Sequence, residues 1–237
     1  MLHVVFIGMD LRILDALRQC PIHLCGAYLP PAPYQYLKHP PWFLKCIPRF
    51  LIKRWLRTAA VYAGVNQYLR SNQIAAIQAK HVNDRKFRNQ LIRCNVDLGV
   101  IANFGQRIDS RLLSVPRYGF INFHPSLLPK YRGPTPLGHI LLNGDTVSGA
   151  TWHRVSARMD QGDILAQGRF AIDRRDTERD LDQKSVALAI KLLDPLLADI
   201  DAERVLVRPQ DESQATCYPK LTASEKRRLS ELGKSLS

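Results

Sequence analysis

Cysteine is scarce and poorly spaced for cross-linking. The residues Cys20, Cys25, Cys46, Cys94 and Cys217 make an odd set with no C-x-x-C pair. That argues against a zinc cage and a disulfide framework, and for reduced thiols in a cytoplasmic setting. No apolar run approaches the roughly 18 uninterrupted residues that a membrane span needs. The opening MLHVVFIGMD is apolar but lacks a basic leader and a small-residue cleavage site, so it does not read as a signal peptide. Several catalytic wordings are missing too. After the first apolar run, Gly8-Met9-Asp10 carries one glycine in place of G-x-G-x-x-G, and Asp10 would repel a phosphate. G-x-S-x-G and H-E-x-x-H are absent, so neither a nucleophile elbow nor a metal centre is expected. Internal repeats and low-complexity blocks are absent as well.

What is present suits a folded chain with an anionic partner. With 237 residues and 46% hydrophobic content, one sizeable domain, or one plus an appendage, can bury a full core. The formal charge of +13 points to a polyanion such as RNA, a nucleotide or a membrane face, without choosing among them.

Taken in order, the patterns alternate between strand and helix. A buried-type strand over His3–Gly8 is followed by a helix capped by Asp10, with Leu11, Leu14 and Leu17 on one face, and by a strand over His23–Leu29. Residues 30–48 are rich in proline and read as an irregular loop. A basic amphipathic helix is expected over Arg49–Tyr62, with Arg49, Lys53 and Arg57 in one row. It reads either as an ordinary surface helix or as a contact for an anionic lipid surface, nucleic acid or another subunit. Then come a short strand over Ile74–Gln78 and a helix capped near Asn83 that turns Phe87, Leu91 and Ile92 inward. A buried strand over Val96–Ala102 follows, and a turn through Asn103-Phe104-Gly105-Gln106. Farther on, a helix over Pro136–Leu142 precedes antiparallel strands over Gly149–Val155 and Ile164–Ile172. A helix over Asp176–Ile200, striped by Leu181, Leu188, Leu192 and Leu196, is expected to bend or break at Pro195. The division that follows is a main domain over 1–203 and a basic C-terminal tail over 204–237.

The centre of the chain is Ile121–Gly133, INFHPSLLPKYRG. In a strand, Phe120, Asn122 and His124 share one face, and Pro125 ends the ladder because it cannot donate. An amide and an imidazole then stand side by side at a strand's carboxyl end, where open α/β sheets place ligands. Such a pair can also be no more than a buried polar couple satisfied by backbone. A third group gives it chemistry. Asn and protonated His can both donate to a developing oxyanion, and a carboxylate such as Asp160 can hold the imidazolium and accept a proton from an attacking amine. This combination suits direct acyl transfer to nitrogen without a covalent enzyme intermediate.

INFHPSLLPKYRG followed by GATWHRVSARMDQGDI closely resembles the core of the 10-formyltetrahydrofolate-dependent formyltransferases. Those proteins share an Asn-x-His-x-Ser-Leu-Leu-Pro loop and a His seven residues before an Asp, the spacing of His153 and Asp160 here. The resemblance implies an α/β fold: a Rossmann-like, open, twisted, mostly parallel sheet with helices on both faces and a short C-terminal appendage. It implies a formyl donor, 10-formyltetrahydrofolate, and no metal. Asn122, His124 and Asp160 would be catalytic, acting through a tetrahedral intermediate, with His153 either a support or a structural strand residue. Ser126, Leu127, Leu128 and Pro129, with Phe104, Gly105 and Asp163, would line the folate site. Lys130, Arg132 and Lys220 would bind an acceptor phosphate or remain solvated surface charges. Among the branches, glycinamide ribonucleotide formyltransferases carry a phosphate loop that Gly8-Met9-Asp10-Leu11 lacks, and formyltetrahydrofolate hydrolases carry a regulatory domain not seen here. Methionyl-tRNA formyltransferases match ATCYPKLTASE and the basic charge, but have a further β-barrel domain. The wording F-H-P-x-x-L-P-x-Y-R-G and the size favour nucleotide-sugar N-formyltransferases. A nucleotide-linked amino sugar is thus the expected acceptor, with Met-tRNA or another amine as the alternative and a basic nucleic-acid-binding module behind both. A homodimer is also expected, with peripheral membrane contact by the 49–62 helix open.

Overall fold

The computed structural model describes residues 1–29, 63–77 and 79–234. Two readings, the irregular loop over 30–48 and the basic helix over 49–62, lie outside the described residues. The chain opens with β1 (His3–Gly8), α1 (Leu11–Gln19) and β2 (His23–Tyr28), as the sequence predicts. Asp10 is the N-cap of α1 and accepts from the N–H groups of Arg12 and Ile13. Residues 63–71 are helical. Next come β3 (Ala76–Ile77), α2 (Arg85–Arg93), β4 (Leu98–Ala102), the short α3 (Ser110–Leu113) and β5 (Phe120–His124). Then follow α4 (Pro136–Asn143), β6 (Val147–Arg154), β7 (Ile164–Ala171), α5 (Glu178–Asp201), a 3-10 turn (Glu212–Gln214) and α6 (Ala223–Glu231).

The described strands form one sheet in the order β3-β2-β1-β4-β5-β6-β7. From β3 to β5 every pairing is parallel, whereas β6 pairs antiparallel with both β5 and β7. The strand order reverses between β1 and β4, which is where such sheets open a crevice. Helices cover both faces. On one, α1 and α5 place Ile13, Leu14, Leu17, Leu193 and Leu197 against Val4, Phe6, Ile121, Phe123 and Trp152. On the other, α2 and α3 place Phe87, Leu91 and Leu112 against Val5, Ile7, Ile101 and Phe120. Phe120 and Ile121 belong to opposite cores, so the alternation read across this strand holds. Among the described residues, no helix is long and apolar enough to cross a membrane.

The structure refines the local readings. The N-cap of α2 is Asp84, next to the expected Asn83, whose side chain donates to Arg107 O and accepts from Asp109 N. Ile92 is 55% exposed, because the inward face of a nine-residue helix is set by the i, i+4 pair Phe87 and Leu91. α5 runs through Pro195 without a break. Pro195 is exposed there, and the buried positions on either side of it, Leu193, Leu196, Leu197 and Ile200, hold the helix to the sheet. The tail contains α6, opened by a reciprocal capping box between Thr222 and Glu225. The T-A-S-E wording was the available signal for that helix.

Trp152 is fully buried at the centre of β6, 5.7 Å from the Phe123 ring, and its indole N–H donates to Ala189 O of α5 at 2.9 Å. It therefore ties the antiparallel half of the sheet to its longest helix. Trp152→Ala is expected to cost about 3–5 kcal/mol, read as a lower urea midpoint at equilibrium.

Candidate active site

The site begins as a cross-strand pair. Asn122 on β5 stands directly opposite His153 on β6. Its amide nitrogen lies 3.1 Å from His153 Nε2, while His153 Nδ1 lies 2.8 Å from Arg154 O. A carbonyl oxygen only accepts, so Nδ1 carries the proton and Nε2 accepts from Asn122. This fixes the Asn122 amide with one N–H given to His153 and a second N–H left for another acceptor. Both rings of the site are buried, His124 at 4% exposure and His153 at 2%.

His124 closes β5 and is fixed from the other side. Its Nε2 donates to Tyr131 O at 2.8 Å, so its reactive nitrogen is Nδ1. Nδ1 lies 3.7 Å from Asp160 Oδ2, and the other carboxylate oxygen lies 3.7 Å from His153 Nε2. Asp160 thus faces both imidazoles, beyond hydrogen-bond length but within ion-pair range, and its side chain is only 11% exposed. The sequence reading brought Asn122, His124 and Asp160 together, and the structure brings all three together with His153 among them.

Two backbone constraints deliver Asp160 to this point. Its φ is +54°, a left-handed conformation that carboxamide and carboxylate residues tolerate better than most. Two residues on, the chain folds back so closely on β6 that a side chain at Gly162 would meet Arg154 O at 1.8 Å. The Gly133 N–H then donates to Asp160 Oδ2 at 2.9 Å. Gly133 has a φ of +123°, and a Cβ there would lie 2.0 Å from Tyr218 O. Sequence reasoning missed Gly133, the Tyr131 carbonyl and Gln210 as parts of the site, although Gly133 ends the INFHPSLLPKYRG stretch.

The expected folate residues are distributed unevenly. Ser126 is fully buried and donates to Lys130 O at 2.8 Å, and Leu128 is buried with its N–H directed at Thr151 Oγ1. Both shape the loop from within. Leu127 and Pro129 are half-buried, and Leu127 lies over Gly149. Phe104 packs edge-on to Tyr28 with ring centroids 6.0 Å apart, Gly105 is exposed, and the Asp163 carbonyl accepts from Arg154 N. Lys130 and Lys220 are exposed, but Arg132 is not: at 4% exposure its guanidinium is bound to Gln210 and Glu212. Arg132 is therefore neither a solvated surface charge nor a free phosphate ligand. Among the described residues no group of His, Cys, Asp and Glu side chains could hold a metal ion.

The electrostatics favour a neutral His153. Burial, then the neighbouring His124 ring, push its pKa down from 6.5 to about 4. As pH falls through that window the unfolded ring takes up a proton that the folded ring refuses. Stability is therefore full above the ordinary histidine value and is lost toward acid, by on the order of 3 kcal/mol. Urea midpoints at about pH 7 and about pH 4.5 should differ more for the wild type than for His153→Gln, which lacks this proton.

Comparison with known proteins places this geometry in a family. The model of the formyl transferase family matches residues 52–194. Methionyl-tRNA formyltransferase of Chlamydia muridarum is 35% identical over 165 residues, covering 70% of this chain and 52% of that protein. The enzyme of the same name from Acidobacterium capsulatum is 37% identical over 145 residues, covering 61% of this chain and 47% of that protein. The chain thus spans about half the length of the curated relatives it matches. Among solved structures, the N-formyltransferase of Helicobacter canadensis in complex with folinic acid and dTDP-3-aminofucose superposes with a TM-score of 0.66 at 17% identity, covering 93% of this chain and 71% of that one. A 4-N formyltransferase from Francisella tularensis does so with a TM-score of 0.66 at 17% identity, covering 96% and 78%. With the fold matched over nearly its whole length and the family model over more than half, the chain belongs to the formyl transferase family.

Proposed function

We propose that the chain is an N-formyltransferase that moves a formyl group from 10-formyltetrahydrofolate to a primary amine. The observation that carries this reading is the convergence of the Asn122 amide, His124 Nδ1 and the Asp160 carboxylate at the carboxyl end of β5. The second Asn122 N–H, the one not given to His153, is oriented to donate to a carbonyl oxygen as negative charge grows on it. His124, protonated on Nδ1 beside Asp160, adds a second donor and can hand its proton to the departing nitrogen. Asp160 accepts the proton that the attacking amine must lose. His153 stays neutral, keeps Asn122 aligned and does not compete for that proton.

The residues present fit a reduced folate, which supplies the formyl group when bound. Beyond β4 the backbone leaves the sheet at Asn103, Phe104 and Gly105, with Asn103 and Gly105 exposed, and no atom lies within 4 Å of where a Gly105 side chain would stand. In this reading Phe104, Gly105, Leu127, Pro129 and Asp163 line the folate, and Ser126 and Leu128 hold the loop's shape. The folinic acid in the Helicobacter canadensis structure supports a folate ligand for this fold.

For the acceptor, the reading is a nucleotide-linked amino sugar. The sugar N-formyltransferases whose folds cover 93% and 96% of this chain support it, as does the F-H-P-x-x-L-P-x-Y-R-G wording. A Met-tRNA acceptor is the second reading, favoured by the 35–37% identity to methionyl-tRNA formyltransferases. Incubating the protein with 10-formyltetrahydrofolate and either dTDP- and UDP-linked amino sugars or Met-tRNA separates the two; formylation of neither class overturns the proposal. In the active pairing, Asn122→Ala is expected to lower kcat about 10²–10³-fold and Asp160→Asn at least about 10²-fold, with the fold retained by circular dichroism. Tight, salt-sensitive RNA binding that survives these substitutions, without formyl transfer, would instead identify a nucleic-acid-binding module.

A further inference from the structure

The segment after α5 does more than trail from the sheet. Arg208 pairs antiparallel with Ile164 at the start of β7, through reciprocal backbone bonds of 2.8 and 2.9 Å. Gln210 then reaches under the loop that carries Asp160: its side-chain N–H groups donate to Asp160 O at 2.8 Å and to Gly162 O at 2.7 Å. The Gln210 oxygen accepts from Arg132 Nε and Nη2, and the Glu212 carboxylate accepts from Arg132 Nη1 and Nη2. Thr216 completes the crossing. Its N–H donates to Pro129 O, its carbonyl accepts from Arg132 N, and its hydroxyl accepts from Tyr131 N. Tyr218 N–H then donates to Arg132 O.

These contacts bear on the three pieces of backbone that set the site. The Asp160–Gly162 carbonyls, the Tyr131 carbonyl that orients His124, and the Gly133 N–H that holds Asp160 all lie within one or two residues of a contact to residues 210–218. Asp160 sits in a left-handed turn; the loop before it is held at Ala157 by Arg107 and by a Ser156–Arg158 turn, while Met159, beside Asp160, is 68% exposed. A guanidinium as buried as that of Arg132 needs fixed acceptors, and Gln210 and Glu212 supply them. One amide, Gln210, therefore couples the buried cation of the Y-R-G motif to the carboxylate loop.

We propose that residues 208–218 are a strap belonging to the catalytic centre, and that Gln210 is a positioning residue that sets Asp160 against the two imidazoles. This deepens the formyl-transfer reading and rests on it for its kinetic arm only. Gln210→Glu keeps an acceptor for Arg132 but turns a carboxylate toward the Asp160 and Gly162 carbonyls, removing both donors. Gln210→Ala removes all four bonds. Leu206→Ala, at a side chain 86% exposed, is the control within the same segment.

Two readouts decide it. At one fixed pH, the Cε1–H resonances of His124 and His153 in the unliganded protein should move in both Gln210 variants and stay put in Leu206→Ala. In the formyl-transfer assay, kcat should fall about 10–100-fold, as expected for a misplaced catalytic group, with an altered pH profile and a KM for 10-formyltetrahydrofolate within about twofold of the wild type. Should Gln210→Ala unfold, Gln210→Glu carries the test. Unmoved ring resonances in Gln210→Glu, or a lower melting temperature with kcat per folded molecule and pH profile unchanged, overturn the proposal. If the wild type transfers no formyl group to any amine tested, the functional reading fails, and the ring resonances alone judge the strap.

Discussion

Everything at this site depends on keeping one carboxylate, almost dry, between two imidazoles. An ionised side chain removed from water is costly unless opposite charge or hydrogen-bond donors replace the lost hydration. Asp160 finds one donor in the Gly133 N–H and two rings at 3.7 Å. The rings are unequal partners. His153 is committed through both nitrogens, to Arg154 O and to Asn122, and its low proton affinity keeps it neutral. His124 has only its Nε2 committed, so the proton that balances Asp160 can reside on its Nδ1 alone. Two histidines near one carboxylate would otherwise share a proton ambiguously; the bonds that occupy both nitrogens of His153 remove the ambiguity.

The fold produces this arrangement by changing strand direction at the right place. A parallel neighbour of β5 would need a long crossover, and its connecting loop would start at the same edge as that of β5. The antiparallel β6 instead sets His153 directly against Asn122 and ends beside the start of β5, where Val155 N–H donates to Phe120 O, and the loop that follows brings Asp160 to His124. Close backbone approach does the rest. Gly162 lies against Arg154 O and Gly133 against Tyr218 O, so the carboxylate loop, the Y-R-G loop and the C-terminal segment stack within van der Waals reach of one another. No side chain larger than hydrogen fits at either contact without moving backbone.

Much of this was legible in the sequence, for identifiable reasons. The parallel strands are short apolar runs bounded by turn residues, and Asp10 and Pro125 mark ends through capping and a missing donor, both local effects. Asn122, His124 and Asp160 were legible because their chemistry makes sense only together. What escaped depends on long-range contacts that no local pattern encodes. Arg132 looks like any surface cation until Gln210 and Glu212, some eighty residues away, are seen to enclose it. Ile92 read as core because it is apolar, yet only the placement of α2 on the sheet decides that Phe87 and Leu91 face inward. Pro195 reads as a bend or a break because local rules count the lost hydrogen bond, whereas packing on either side keeps the helix continuous there. The sequence also divides the chain at 203, where composition turns polar; past that point Arg208 bonds to Gln167 of β7, and Gln210 and Thr216 bond to the loops that set the site.

The charge arrangement at the first turn runs against the overall charge of the chain. A helix N-terminus just past β1 would be a ready anion site, since its first N–H groups point outward unpaired. Here Asp10 fills that role from within the chain: its carboxylate accepts from Arg12 N and Ile13 N and also binds the Arg12 guanidinium through both oxygens. Arg12 is drawn further from anion binding by Asp182, at 2.7 Å. The 320 Å³ cavity beside this turn, lined in part by Met9, Asp10, Arg12 and Asn103, therefore presents a carboxylate and a guanidinium already bound to each other. A phosphate entering there would displace bonds the chain already makes and meet negative charge. A net charge of +13 leaves cations in plenty elsewhere. The anion site that a helix N-terminus would offer at this turn is thus filled from within the chain, whatever the charge elsewhere.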